Sequence, residues 1–184
     1  MSFLDSFLLA VALALPAMTV VYGSVSHVPV RPVRGLAVAT VVATCAALLL
    51  WLGLWLGHAL RFDLPEVDRM VFLGVVGVLF LKTLPSALRR TPPSHPYDLS
   101  VRRNLALLPL ATGVNVLLAG LGAGFVCDME HGVWTSVVML AVLSWLLIYL
   151  AVMLGRQKKA FHVRRWTLIA LLFLLVFAVR LAFN

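Results

Sequence analysis

Charged residues are scarce in this chain: only 12% of its 184 residues are Asp, Glu, Lys or Arg, about half the share found in ordinary soluble domains. Hydrophobic residues make up 62%, and the mean hydropathy is +1.04. This composition excludes a soluble enzyme, a disordered segment and a nucleic-acid-binding protein, and it indicates a polytopic membrane protein. The two cysteines, Cys45 and Cys127, provide neither a disulfide framework nor a metal-ligand spacing.

Long apolar runs are abundant instead. A membrane-crossing helix needs about 20 mainly apolar residues, and six runs meet this requirement, at 4–25, 36–60, 70–88, 105–126, 133–154 and 166–183. We expect the first run to be a helix of the mature protein, because it is too long for the core of a signal peptide and no basic segment precedes it. The sequence therefore predicts an all-α protein with six transmembrane helices.

Basic residues are concentrated in alternate linkers. The first, third and fifth linkers, together with Lys82, hold twelve basic residues and one acidic residue, Asp98, whereas the opposite side holds three basic and six acidic residues. Basic loops remain in the cytoplasm. We therefore expect both termini on the non-cytoplasmic side.

Membrane orientation explains most of this basic excess. The same clusters also fit a binding surface for anionic lipids or an acidic partner. The candidate lipid- or partner-binding residues are Arg89, Arg90, Arg102, Arg103, Lys158, Lys159, Arg164 and Arg165.

The chain divides into two similar halves. Residues 1–88 and 105–184 each hold three predicted helices, and a basic, Pro-rich cytoplasmic linker at 89–104 joins them. Leu13-Ala14-Leu15-Pro16-Ala17-Met18 is similar to Leu110-Ala111-Thr112-Gly113-Val114-Asn115, and an offset of about 98 residues also relates Lys82 to Arg180. Because three is odd, the second half enters the membrane from the opposite face. The sequence thus predicts two inverted three-helix repeats, an architecture of many transporters.

Carboxylates are missing from the interior of every predicted helix. Lys82 and Arg180 lie near helix ends, where long side chains reach the interface. Asn115 is the most informative polar residue, because its own helix cannot satisfy an amide; it serves either as a bond between helices or as part of a site.

Pro16 removes a helical hydrogen bond and leaves a carbonyl free. A kink at Pro16 that faces Asn115 would make a polar spot near the middle of the bundle. The candidate substrate-binding residues are therefore Pro16, Thr19, Thr112 and Asn115. Neutral oxygens of this kind hold a weakly bound cation or water, whereas hard divalent ions prefer carboxylates.

Two pairs of glycines in the first half have spacings typical of helix packing. Gly53 and Gly57 lie one turn apart in GLWLG, and Gly74 and Gly77 form a looser small patch. Small residues allow two helix backbones to approach closely in membranes. We expect both pairs to face a neighbouring helix.

Several segments together resemble the MntP-type manganese efflux pumps of the LysE-like transporter group. LLAVALALPAMTVVYGSVSH resembles the first helix of that family and LLPLATGVNVLLAGLGAGFV the fourth, while GLWLG, FLKTL and VLSWLLIYLAVMLGRQ stand where the family has similar segments. The resemblance covers nearly the whole chain and implies a six-helix transporter of the bacterial inner membrane. The family carries an aspartate in each of these two helices, thought to bind the exported Mn²⁺; the corresponding residues here are Pro16 and Asn115.

Two functions remain open. The first is a small cation or solute transporter whose metal site is altered or degenerate, because both aspartates are replaced. The second is a non-transporting membrane subunit that packs against or anchors a partner complex, which the apolar helices and basic loops favour. The sequence has no HExxH, no CxxC and no Ser/His/Asp grouping, so we expect no enzymatic activity and no cofactor. Membrane lipids are the expected partners, and a bundle of this size is compatible with a homodimer or a larger membrane complex.

Overall fold

Six α-helices form the computed structural model, which describes residues 3–27, 32–61, 65–88, 102–126, 133–157 and 163–183. They are α1 (Phe3–His27), α2 (Pro32–Ala59), α3 (Pro65–Leu88), α4 (Arg102–Val126), α5 (Val133–Arg156) and α6 (Val163–Phe183). No strand occurs in these ranges. Each predicted apolar run coincides with one helix, which confirms the all-α prediction.

Four of the described helices are long and apolar enough to cross a membrane. They lie within α1, α2, α4 and α5, over Phe3–Ser26, Val33–Ala59, Leu108–Val126 and Val133–Arg156. Large apolar side chains are also exposed on the outside of the bundle, among them Met70, Leu81 and Trp134. An outer surface of this kind is stable in lipid, where a helix satisfies its own backbone groups. The chain is therefore an α-helical membrane protein.

The six helices pack as a ring. Going around it, α1 contacts α5, α5 contacts α2, α2 contacts α4, α4 contacts α3, α3 contacts α6, and α6 contacts α1 again; α1 and α4 also touch across the ring. The contacts are the same when the two halves are exchanged, that is, when α1, α2 and α3 are exchanged with α4, α5 and α6. The contact of α1 with α5, for example, corresponds to that of α4 with α2. Every one of these contacts joins a helix of the first half to a helix of the second half.

The most extensive contact, between α2 and α4, is made backbone to backbone. A Cβ on Gly57 would lie 2.9 Å from the Cα of Gly124, and one on Gly120 would lie 3.2 Å from the Cα of Gly53. The first separation is too short for a side chain, and a Cβ on Gly120 would also lie only 2.7 Å from the carbonyl oxygen of Leu50, so both positions require glycine. The prediction that Gly53 and Gly57 pack against a helix is confirmed, and the order of the contacts makes α2 and α4 parallel neighbours.

A similar close approach joins α1 to α5. A Cβ on Gly155 would lie 3.1 Å from the Cβ of Val25 and 3.4 Å from the backbone nitrogen of Ser26. Gly57 and Gly155 are 98 residues apart, and so are Ser26 and Gly124. The two parallel pairs, α2 with α4 and α1 with α5, therefore use matching positions of the two halves.

Gly74 and Gly77 differ from the prediction. A Cβ added at either glycine meets no atom within 4 Å, and Gly74 instead lines an open apolar groove with Val71, Val78 and Leu118. The spacing of the two residues is correct for a helix face, but that face does not pack against a described helix.

The core consists of two apolar clusters, and α1 contributes to both. The first cluster holds Leu8 to Ala14 of α1 with large side chains such as Leu50, Phe72 and Phe177. The second cluster begins at Leu15 and includes Met18 and Val21 with Ile148 of α5. Pro16 lies where α1 passes from one cluster to the other.

Candidate functional site

Asn115 is the polar residue whose position most clearly calls for a partner. Its Oδ1 atom is buried and accepts no hydrogen bond within the described part of the chain. A buried acceptor without a donor costs about 1–3 kcal/mol. The cost falls when a hydrogen-bond donor or a cation approaches, so Asn115 is suited to contact a ligand.

Thr19 and Thr112 place their hydroxyl groups in the same local arrangement. Thr19 Oγ1 donates to the carbonyl of Pro16 at 2.8 Å, and Thr112 Oγ1 donates to the carbonyl of Leu108 at 3.0 Å. A second, longer contact joins Thr112 Oγ1 to the carbonyl of Pro109 at 3.4 Å. Each hydroxyl uses its proton within its own helix and keeps its acceptor lone pairs. Both residues therefore offer oxygen ligands rather than donors.

Pro109 belongs to this group of residues, and the sequence analysis missed it. It interrupts the hydrogen bonding of α4 as Pro16 does in α1. The signal was available, since Leu15-Pro16-Ala17-Met18-Thr19 and Leu108-Pro109-Leu110-Ala111-Thr112 share the pattern Leu-Pro-x-x-Thr. Each proline leaves a carbonyl one turn earlier without its helical donor, so both helices carry additional unpaired oxygen atoms.

Of the four predicted site residues, Pro16 and Thr19 are joined by a hydrogen bond, and no hydrogen bond between the α1 and α4 members is described. Pro16 and Thr19 are in direct contact, and α1 and α4 meet across the ring. Within the described residues, no hydrogen bond joins Thr19 to Thr112 or Asn115. Thr19 on α1 and Thr112 and Asn115 on α4 carry neutral oxygens, which suit a monovalent cation or a polar solute better than a divalent ion.

An ion pair that the sequence analysis did not predict joins the first turn of α1 to the last turn of α6. Asp5 Oδ1 lies 2.6 Å from Arg180 Nε, and the two side chains are 4% and 42% exposed. Arg180 was expected only to reach the interface; instead it neutralises a buried carboxylate.

Further polar contacts lie at the same end of the ring, which we call the Asp5 end. The hydroxyls of Ser6 and Ser136 are 2.8 Å apart and bond α1 to α5. Asp68, one turn before Phe72 on α3, is buried and lies 3.5 Å from Arg61. Phe72 packs against Phe177 of α6, which places Asp68 near the level of Arg180. All these acidic and basic residues belong to the side that the charge pattern assigns to the exterior.

The basic clusters are only partly described. Arg89, Arg90, Lys158 and Lys159 lie outside the described residues, and the side chains of Arg102, Arg103 and Arg164 are not described either. Arg165 is exposed at the beginning of α6. An exposed arginine at a helix end can reach a lipid phosphate.

Metal-ligand residues do not cluster in the part of the chain that the structure describes, since no group of three His, Cys, Asp or Glu side chains lies close enough to hold an ion. Comparison with known proteins found no matching family model, no matching curated protein and no matching solved structure. Function is therefore inferred from the arrangement of the chain's own residues.

Proposed function

We propose that this chain is a small membrane transporter of MntP-like fold, with six transmembrane helices arranged as two inverted three-helix repeats, 1–88 and 105–184, joined by the linker 89–104. The observation that carries the proposal is the symmetry of the ring. Exchange of the two halves preserves the helix contacts, and the glycine contacts recur at an offset of 98 residues. Inverted repeats that meet around a central site are typical of secondary transporters.

The directions of the helices support six crossings. Because α2 and α4 are parallel neighbours, the chain must return across the same thickness between them, and α3 is the helix that does so. Likewise α6 follows α5 and ends beside the beginning of α1, where Arg180 contacts Asp5. The 24 residues of α3 and 21 residues of α6 correspond to about 36 and 32 Å of helix, enough for a hydrocarbon layer of about 30 Å.

The proposed orientation places both termini on the non-cytoplasmic side of a bacterial inner membrane. The first, third and fifth linkers then lie in the cytoplasm. Their basic residues, including the exposed Arg165, would contact anionic lipid headgroups or an acidic partner.

The proposed cargo is a monovalent cation or a small polar solute that binds near Asn115, between α4 and α1. The buried Oδ1 of Asn115 and the hydroxyl of Thr112, one turn before it on α4, are neutral acceptors, and Thr19 offers a further hydroxyl oxygen on α1. Without carboxylates, this set does not compensate for the dehydration of a divalent ion. Export of Mn²⁺ would therefore require ligands beyond these residues.

Asn115→Leu should reduce transport to the level of liposomes without protein, because it removes the unpaired acceptor and keeps the side-chain volume similar. The measurement is flux in proteoliposomes loaded in turn with Na⁺, K⁺ and Mn²⁺. Val114→Leu, a conservative change at the adjacent exposed position of α4, is the matched control and should leave flux unchanged. Equal flux through Asn115→Leu and the parent would contradict the assigned site.

Restoring both aspartates should create a Mn²⁺ site. In the double variant Pro16→Asp/Asn115→Asp, two carboxylates on facing helices would supply the charge that the present site lacks. We expect Mn²⁺ affinity to rise by roughly a hundredfold or more over the parent, about 2.7 kcal/mol, as measured by calorimetry. Each single variant is the control and should gain less. A double variant that binds no better than the singles would mean that the two positions do not share a site.

A non-transporting membrane subunit is the second candidate, and the dense interior of the ring favours it. Leu50, Phe72, Leu140 and Ile148 are almost completely buried, so apolar side chains fill much of the space that a transport path would use. Purification from the native membrane in mild detergent distinguishes the two functions. A stoichiometric complex with another protein would support the subunit, and isolation of the chain alone or as a homodimer would support the transporter.

A further inference from the structure

The first half of α1, residues Phe3 to Leu15, forms an arm held at its tip by two neighbouring helices. Asp5 is paired with Arg180 of α6, and Ser6 is hydrogen-bonded to Ser136 of α5. The arm thus bridges two helices of the second half at the Asp5 end of the ring. Between these polar contacts and Pro16, the arm packs through apolar residues such as Leu9 and Leu13.

Pro16 gives this arm a pivot. Proline lacks the N–H that would bond to the carbonyl one turn earlier, so α1 bends there at lower cost than elsewhere. The pivot coincides with the boundary between the two apolar clusters. Thr19 donates to the carbonyl of Pro16, a local hydrogen bond of the kind that often accompanies a bend in a helix. The arm can therefore move while the second half of α1 stays packed on α5 through Gly155.

The ion pair is asymmetric in its exposure, which makes it suitable for opening. The Arg180 side chain is 42% exposed and the Asp5 side chain is 4% exposed. When the pair separates, Arg180 is readily hydrated, whereas the buried Asp5 loses the opposite charge of Arg180, which costs free energy unless the carboxylate moves towards water. The pair therefore favours the closed arm and leaves an open state in which the arm carries Asp5 outwards.

At the opposite end of the ring, the two positions that correspond to this pair in the sequence are both basic. An offset of 98 residues relates Asp5 to Arg103 and Arg180 to Lys82. Two basic residues repel each other and cannot form an ion pair. The two ends of an otherwise symmetric ring thus differ in the chemistry that closes them.

We propose that the arm is a gate at the Asp5 end of the ring, closed by the Asp5–Arg180 ion pair and the Ser6–Ser136 hydrogen bond and opened by bending at Pro16. The gate rests on the proposed transporter function, in which it would admit water and cargo from the non-cytoplasmic side towards Asn115. The open state is a local opening of the native protein, in which the apolar residues of the arm, such as Leu9 and Leu13, leave part of their packing in the first cluster.

The test measures water access beneath the arm. Leu9 is buried one turn after Asp5. The background is a protein in which Cys45 and Cys127 are changed to serine. In this background, the thiol of Leu9→Cys reports water access by the rate at which it reacts with a water-soluble maleimide in lipid nanodiscs. Val38→Cys, buried in the second apolar cluster, is the control reporter. We expect Asp5→Asn or Arg180→Gln to accelerate labelling of Leu9→Cys roughly tenfold or more, a factor that corresponds to about 1.4 kcal/mol. Labelling of Val38→Cys should not change.

The exchanged pair Asp5→Arg/Arg180→Asp should return labelling of Leu9→Cys to the slow rate, since the attraction is restored. An unchanged rate in both single variants would overturn the gate. Acceleration at Leu9 and Val38 together would identify a general structural clamp and would also overturn it. Labelling requires no substrate, so it tests the gate separately from the site. If flux survives in Asn115→Leu but labelling responds to Asp5→Asn and Arg180→Gln as expected, the assigned site is wrong. If flux is lost in Asn115→Leu but labelling does not respond, the gate is wrong.

Discussion

Gly57→Leu is expected to destabilise the protein by about 3 kcal/mol, at the upper end of the usual cost of overpacking. A Cβ at this position would lie 2.9 Å from the Cα of Gly124 and would also collide with the carbonyl oxygen of Leu121. Both atoms belong to the backbone of α4 and cannot rotate away, so the two helices must separate along their most extensive contact. The measurement is thermal or denaturant unfolding of the purified protein in detergent.

Gly77→Leu is the matched control for this change. A Cβ at Gly77 meets no atom within 4 Å, so the leucine can extend without displacing a described helix. We expect the unfolding midpoint to stay close to that of the parent. Because leucine is a better helix former than glycine, intrinsic helix propensity would not explain a loss in either variant, and equal losses for Gly57→Leu and Gly77→Leu would contradict the role assigned to the contact with α4.

Alanine at Phe72 or Phe177 should destabilise the protein by about 3–5 kcal/mol, the usual cost of removing a buried phenylalanine ring. The two rings are almost completely buried and meet edge to face, with centroids 6.1 Å apart. The two rings lie in the contact between α3 and α6. The remaining contacts of these helices, of α3 with α4 and of α6 with α1, are less extensive than those that join α2 to α4 and α1 to α5. Either cavity would loosen both helices.

A double-mutant cycle isolates the contribution of this ring pair. Removing both rings should cost less than the sum of the single changes by about 0.5–1.5 kcal/mol, the usual coupling of an aromatic pair. Leu172→Ala on α6 is the control, because Leu172 is 62% exposed on the outer surface and its removal leaves no cavity. A loss at Leu172 as large as at Phe177 would contradict the assignment of the core.

The positions of the helices could be predicted from the sequence, because an apolar run of membrane length has few structural alternatives to a helix. The close packing of Gly53 and Gly57 could also be predicted from their spacing. For Gly74 and Gly77 the same reasoning gave a wrong result, because spacing shows which residues share a face but not what that face meets. Which helix lies beside which depends on contacts distributed over the whole chain.

Those features of the candidate site that depend on one residue and its own helix could be predicted from the sequence. Asn115 was identified because an amide cannot be satisfied by its own helix, and its Oδ1 is indeed buried without a donor. The pairing of Asp5 with Arg180 was not predictable, because the two residues lie near opposite ends of the chain and meet only through the ring. The alternation of the predicted helices placed both residues on the same side, which agrees with their contact, but that alternation contains no information about distance.

The contacts around the ring also constrain how the protein is made. Each helix of the first half packs substantially only on helices of the second half. During synthesis, α1, α2 and α3 are therefore made before any of these neighbours exists. Gly53 and Gly57 of α2 can pack against the backbone of α4 only after α4 has been made. The Asp5–Arg180 ion pair can form only after most of α6 has been made. Until then the helices of the first half lack the helices on which they pack in the folded protein, so assembly of the bundle must await α4, α5 and α6.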